Sequence, residues 1–386
     1  MEQQSSGVRK TYKYRLIPTP AQEQALESVL SRCRMLYNVA LEQRKTWWAR
    51  GQEKAATYYQ QKAELPDLKA SCLEYAEINA QVLQDVILRV ERTYQDFFRR
   101  VMQGEGKKTP GYPRFQGQSR YNSFTYPQYG GGAVLYGGLL SLSKIARIRI
   151  RLHRPLEGVP KTVTISREAD GWYACISCAE VATEPLPPTG QETGIDVGLK
   201  VFLITADGQA IENPRHYRKA EKQLAKAQRR VSRRKKGSKR RKKAVALLKR
   251  KHQKVQRQRR DFQHKTALVL VCRYDTIYLE DLRVANMVRN PYLAKSISDA
   301  SWGQFRTILE AKAACAGRRV VALPPAYTSQ DCSGCGERVL KSLSVRTHVC
   351  RACGLVLDRD ENAARNILRA GQARQALTQS GGTYVA

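Results

Sequence analysis

The chain has 386 residues, with 68 Lys+Arg against 34 Asp+Glu, a formal charge of +34 and a pI near 10.0. That surplus excludes an ordinary enzyme of small neutral metabolites and requires a polyanionic partner, either nucleic acid or an anionic membrane. The length gives two to three domains at roughly 150 residues each. No apolar run approaches the roughly 18 residues that a bilayer span needs, so no membrane partner is expected. The segment MEQQSSGVRKTYKYRLIP lacks the apolar stretch of a secretory signal. Ten cysteines without such a signal read as free thiols and metal ligands in a reducing compartment. Composition alone predicts a cytosolic nucleic-acid protein.

Residues 8–17 alternate basic or polar with apolar side chains, the pattern of a β-strand. Thr19-Pro20 with Gln22 forms a capping-box signature, and Leu26, Leu30, Cys33 and Tyr37 mark one face of a helix to about residue 50. A second long helix is expected over 68–103, with Val82, Val86, Val90, Tyr94, Phe97 and Met102 on its apolar side. From about 104, Gly and Pro become frequent and short alternating runs appear at 147–152, 162–167 and 172–179. The last two flank Asp170-Gly171, a hairpin signal. Residues 104–182 are therefore expected to form a small antiparallel barrel, to which the strand at 8–17 returns.

Pro185, Pro187 and Pro188 make a stiff linker, and a new domain begins near 192. Residues 194–206 read as a strand turning at Asp207-Gly208. The segment 215–261 holds 23 Lys/Arg and two acids, a net charge of +21. A strand over 275–279, a helix over 302–314 and a strand over 319–323 follow. A cysteine module occupies 332–353, a last helix 360–370, and the polar tail from about 372 is expected to be disordered. Strands alternating with helices predict a mixed α/β core in this half.

Cys332-x-x-Cys335 and Cys350-x-x-Cys353 are two knuckles 14 residues apart, each followed by glycine. Four thiolates close a tetrahedral zinc site with no open position, so the expected metal is one structural zinc ion. Cys175-x-x-Cys178 has no second knuckle and lies mid-strand, where an offset of three points the sulfurs to opposite faces. His348 is a substitute ligand or, with four cysteines present, a basic contact.

Three acids stand where strand or helix ends expose them: Asp196 in TGIDVG, Glu280 after TIYL, and Asp360 in DRDENAARNI. An acid within an apolar strand needs a partner or a metal. Together the three could hold a pair of magnesium ions about 3.5–4 Å apart, for phosphodiester chemistry. Plainer readings compete: Asp360 as an N-cap, with Asp358 its rival for either role, Glu280-Asp281 as a solvated turn, and Asp196 paired with Lys200.

The blocks TGIDVGLK (193–200), LEDL (279–282), YTSQDCSGCG (327–336) and DRDENAARNI (358–367), with the start YRLIPTPAQEQAL, resemble the TnpB family in order and across nearly the whole chain. These are transposon-associated, RNA-guided DNA nucleases related to the type V CRISPR effectors. The resemblance implies a multidomain α+β chain: an OB-like wedge β-barrel with an inserted helical recognition lobe, then an RNase H-like RuvC domain with a zinc-ribbon insertion. The expected boundaries are barrel 1–18 and 104–184, recognition lobe 19–103, linker 185–191, RuvC domain 192–324 with a basic helical insertion at 215–263, zinc ribbon 325–357, RuvC helix 358–371 and tail 372–386. It also implies that Asp196, Glu280 and Asp360 are the RuvC acids holding magnesium. Asp360 is preferred to Asp358 because the family acid stands two residues before an Asn, here Asn362. Cys332, Cys335, Cys350 and Cys353 match the zinc ligands.

Implied partners are a guide RNA from the transposon end and both DNA strands, with one protein per guide, in the prokaryotic cytoplasm at the nucleoid. Protein then reads shape and a short motif, and base pairing reads the rest. The run with Arg233, Arg234, Lys235 and Lys236 is expected on helices along phosphates, ordered by Leu224, Val231, Leu247 and Leu248; its alternative is a solvated basic arm. Lys200 is a further expected contact. Tyr121 and Asn122, beside Phe124 and Tyr126, are candidates for base contacts, with barrel core the alternative for at least Phe124. Gln81 and Gln84 suit adenine edges in the adjacent motif or a solvated helix face. Rival functions are an RNA-guided repressor that does not cut, a DDE-type transposase and a zinc-ribbon RNA protein.

Overall fold

The computed structural model describes residues 7–49, 56–103, 111–183, 185–325, 327–342 and 345–379. It divides into two compact units, 1–182 and 183–386. In the first, β1 (Val8–Ile17) leads into α1 (Pro20–Ala49), α2 (Tyr58–Ala63), α3 (Leu65–Ser71), α4 (Leu73–Ala76) and α5 (Ala80–Met102). Six strands follow: β2 (Ser123–Tyr126), β3 (Ala133–Tyr136), β4 (Leu139–Leu142), β5 (Ala146–Arg151), β6 (Val159–Glu168) and β7 (Gly171–Val181).

All seven strands form one antiparallel sheet in the order β2-β6-β7-β1-β5-β4-β3. β1 does return to the barrel, at its centre, pairing Tyr12 with Ile176 and Leu16 with Ile150. Its alternation buries Tyr12, Tyr14 and Leu16. A bridge from Tyr129 to Ala133 links the chain after β2 to the start of β3, so the barrel is nearly closed. In β7, Cys178 lies in the core and Cys175 is half-buried, as the offset of three requires.

The Thr19 capping box forms, with the Gln22 N–H donating to Thr19 Oγ1 at 3.4 Å and the Thr19 N–H to Gln22 Oε1 at 3.0 Å. Leu26, Leu30, Cys33 and Tyr37 of α1 share one core with Val82, Val86 and Val90 of α5. The single helix expected over 68–103 is instead three. Cys72 is extended (φ −136°), and Asn79 caps α5 by accepting the Gln81 N–H at 2.9 Å. An asparagine side chain competes with the helical ladder and so starts a helix rather than continuing one. Met102 is 86% exposed, so the apolar stripe of α5 stops short of its end.

The second unit contains β8 (Glu192–Val197), β9 (Val201–Thr205), β10 (Ala210–Glu212), α6 (His216–Ser232) and α7 (Lys239–Arg273). Next come β11 (Thr276–Glu280), α8 (Val284–Met287), α9 (Ala294–Ala300), α10 (Trp302–Cys315) and β12 (Arg319–Leu323). The chain ends with β13 (Thr347–Val349), β14 (Val356–Asp358) and α11 (Arg359–Gln379). The sheet order is β10-β9-β8-β11-β12, with β11 and β12 parallel to the central β8 and the first three strands antiparallel. The stretch 194–206, expected as one strand, is a hairpin that reverses at Gly198–Lys200. A Cβ at Gly198 would stand 2.9 Å from the Val201 carbonyl oxygen, so this tight turn needs a glycine.

Phe202, Leu203, Leu270, Val271, Ile277, Phe305 and Leu309 form the core between the sheet, α7 and α10. α11 also packs on β8, close enough that a Cβ on Gly194 would lie 2.2 Å from the Ala364 carbonyl oxygen. Gly194→Ala is therefore expected to destabilise this half by about 1–3 kcal/mol. A thermal scan should show its transition several degrees lower, and an unchanged transition would contradict the close approach.

The stretch expected as a stiff proline linker is docked: Asp275 accepts the N–H groups of Thr189 (2.9 Å) and Gly190 (2.8 Å), and Arg318 donates to the Pro187 carbonyl at 2.7 Å. One expectation fails here. The tail expected to be disordered from 372 is helical to Gln379; residues 380–386 lie outside the described part. Its polar residues bond to the sheet, with Tyr278 donating to Gln375 at 2.7 Å and Gln372 to Glu192 at 3.1 Å.

Candidate active site and metal centre

Parallel pairing of Leu279 with Ile195 brings the next residues, Glu280 and Asp196, to the same end of neighbouring strands. α11 supplies Asp360 in its first turn. Of the two rival aspartates, Asp358 is the helix cap: its Oδ1 accepts the Asp360 N–H at 2.8 Å. A Cβ at Gly198, two residues after Asp196, would lie 3.8 Å from Asp360 Oδ2.

The three acids are near enough for the charges of two to act on the third. Burial first, then the negative charges of Glu280 and Asp360, push the Asp196 carboxyl well above the usual range, against the pull of Arg359. Burial also raises Glu280, opposed by the Thr328 hydroxyl that donates to it at 2.5 Å. Arg359 bonds Asp360 at 3.1 and 3.2 Å, and Arg346 lies 3.3 Å from its other oxygen. Lys200 makes no ion pair with Asp196 among the described residues. Burial and the charges of Glu280 and Asp360 raise the proton affinity of Asp196, and carboxylate oxygens of this kind are the donors a hard divalent cation takes. Thr328, Arg346 and Arg359 were not singled out from the sequence; the one signal was the arginine between two aspartates in DRD.

In the cysteine module the four sulfurs lie within 4.8 Å of one another, with Cys332–Cys353 and Cys335–Cys350 at 3.6 Å. A tetrahedral zinc with bonds of about 2.3 Å sets sulfurs roughly 3.8 Å apart, so the donors fit that ion. Gly336 and Gly354 adopt positive φ (83° and 72°), turning the backbone beneath each knuckle. The Cys353 N–H, ahead of burial acting the other way, holds the Cys350 thiol down to about 7. His348 is neither ligand nor exposed basic contact: it is fully buried, with Nδ1 against Lys341 Nζ. The buried Asn362 ties the module to α11, accepting the Ser333 N–H at 2.9 Å and donating to the Asp331 carbonyl at 2.8 Å.

Residues 175–291, with Asp196 and Glu280, match the OrfB_IS605 family profile, described as "Probable transposase". Residues 302–367, with Asp360 and the four cysteines, match a "Cas12f1-like, TNB domain". Residues 6–53 match a helix-turn-helix domain, although their described part forms β1 and α1. A Streptomyces pristinaespiralis protein named "Putative RNA-guided DNA endonuclease" is 38% identical, over 96% of this chain and 91% of its own. The chain belongs to the TnpB family. InsQ of Escherichia coli K12, another TnpB relative named as a "Putative RNA-guided DNA endonuclease", is 31% identical over 96% of this chain and 95% of its own. A solved Cas12f1–sgRNA–target DNA complex is similar to this TnpB chain in fold, at a TM-score of 0.55 and 14% identity, covering 91% of this chain and 83% of that one.

Other expected contacts of this TnpB chain divide. Tyr121 is buried at 7% exposure against Tyr37 of α1 and Arg89 of α5, so its ring is packed interior and not a stacking platform. Asn122 is exposed. Gln81 is tied to Gln128 at 2.9 Å, whereas Gln84 lines an apolar groove with Leu65 and Pro66. Arg233, Arg234, Lys235 and Lys236 form the tip between α6 and α7, not a helix face. Arg241 pins this turn through the Val231 and Arg234 carbonyls, both at 2.9 Å. Leu224 and Val231 order the helix pair, but Leu247 faces solvent. No described helix is long and apolar enough to cross a membrane.

Proposed function

We propose that this chain is an RNA-guided DNA endonuclease of a transposable element, cutting both strands of DNA beside a short transposon-adjacent motif. The observation that carries it is the meeting of Asp196, Glu280 and Asp360 at one end of the sheet, with Asp358 doing the capping. The sheet order supports an RNase H-like RuvC domain, in which these acids hold two magnesium ions. Bound there, the ions supply an activated water and stabilisation of the leaving oxygen. The chain's own residues set the geometry: parallel strands align two carboxylates, Thr328 orients Glu280, and Arg346 and Arg359 fix Asp360.

The zinc knuckle presents target nucleic acid, and the basic helical pair holds the guide and its heteroduplex. The guide is an RNA from the transposon end, one protein binds each guide, and target and non-target strands enter the same site. The protein works in the prokaryotic cytoplasm at the nucleoid. Sequencing RNA that copurifies with the protein tests this. A specific transcript with a constant part and a variable end is expected; random cellular RNA would overturn the guide reading.

Salt provides a second check. Each phosphate neutralised contributes roughly 0.7–0.9 to the slope of log affinity against log salt. Replacing Arg233, Arg234, Lys235 and Lys236 with glutamine should flatten the slope for RNA by up to about 3. An unchanged slope would make the tip a solvated turn.

A further inference from the structure

Beside the β8–β9 turn lies a cavity of about 300 Å³ lined by Lys200, Asn213, Arg215, Arg218 and Asp299. Its walls are built rather than incidental. Asn213 donates to the Leu199 carbonyl at 3.1 Å and accepts the Arg215 N–H at 3.1 Å, joining the turn to the start of α6. Arg215 sits in the left-handed region (φ 49°, ψ 48°), a costly conformation for a side-chain-bearing residue that the surroundings must enforce. The one acid is already engaged: Asp299 accepts the N–H groups of Tyr217 at 3.0 Å and of Arg218 at 3.4 Å. Arg218 donates to Ser296 at 3.0 Å, while Lys200 and Arg215 have no side-chain partner among the described residues. Three cations thus face a cavity whose only carboxylate is spent on backbone.

Location names the anion. Lys200 is four residues from Asp196, at most about 14 Å of extended chain. The intervening Gly198 approaches Asp360. A strand held over the acids lies within about 14 Å of Lys200, and its regularly spaced anions are phosphodiesters. Resting on the nuclease reading, we infer that Lys200, Arg215 and Arg218 form a pocket for a backbone phosphate of the DNA strand being cut, near the scissile phosphate. The pocket fixes the strand's register over the acids, so these are positioning residues whose loss costs rate more than affinity.

The test uses the full chain loaded with its guide RNA. Lys200→Gln with Arg215→Gln is expected to slow single-turnover cutting about 10- to 100-fold, with gel-shift affinity for matched DNA unchanged. Lys200→Arg should restore most of the rate lost in Lys200→Gln. One neutral methylphosphonate placed at each phosphate near the cut should slow the wild type at a single position. The same substitution should cost the double variant nothing further. Multiplying effects, or wild-type cutting by the double variant, would overturn the pocket while leaving the nuclease reading intact. A second arm needs no cutting: Lys200→Cys in an Asp196→Ala background should crosslink to a thiol tethered at that one phosphate. Crosslinking without any cutting by the wild type would keep the pocket and refute the nuclease reading. Crosslinks spread evenly along the strand would refute the pocket.

Discussion

Asp196→Ala is expected to abolish DNA cutting and leave guided binding in place. Asp196 sits on the central strand β8, where the charges of Glu280 and Asp360 both reach it. On the proposed two-ion reading, a carboxylate placed there would offset cation repulsion and fix the spacing of the ions, and alanine would do neither. Loss of an ion removes water activation and leaving-group stabilisation together, so the chemical step should fall by several orders of magnitude. Binding rests on distant cations and base pairing, and removing one acid should leave it unchanged or slightly tighter. Supercoiled-plasmid cutting and gel-shift affinity, measured on the same preparations, separate the two. Residual cutting near the wild-type rate would make Asp196 structural.

The second large effect concerns zinc. Cys332→Ser, or chelation, is expected to unfold residues 325–357 while the N-terminal barrel stays folded. The module has two three-residue strands and few buried apolar residues, so the metal must supply most of its stability. Structural zinc contributes roughly 10–16 kcal/mol of apparent free energy in zinc-finger peptides. The damage should reach the acids, because Thr328 bonds Glu280, and Asn362 and Asn366 hold the Asp331 carbonyl at 2.8 and 2.6 Å. Hydrogen exchange should show lost protection across the module and the start of α11. Unchanged protection there after chelation would mean that the sulfurs do not carry the fold.

The sequence was most legible where local chemistry dictates structure. The alternation of Tyr12, Tyr14 and Leu16, the Thr19 capping box and the paired cysteine knuckles each specify their geometry within a few residues. It was least legible where distant partners decide. Tyr121 looks like an exposed aromatic in a Gly-rich stretch, but Tyr37 and Arg89 enclose it. The polar end of α11 is ordered because Tyr278 and Glu192 offer it partners from the sheet. The turn at Gly198 was hidden inside an apolar run that reads as one strand. For the acids, residue type and order were visible, but their surroundings were not. Thr328, Arg346 and Arg359 come from the zinc insertion and the helix it precedes, and only the fold brings them to the carboxylates.

The central claim, cutting directed by a bound RNA, is tested most directly by exchanging the guide. The protein is purified with an RNA whose constant part is kept and whose variable end is rewritten to match a new site on a plasmid, beside the same adjacent motif. The cut is expected to move to the new site, to need magnesium, and to be absent from the old one. Cutting that stays at the original site, or proceeds equally without RNA, would contradict RNA guidance and favour a transposase that recognises DNA by itself.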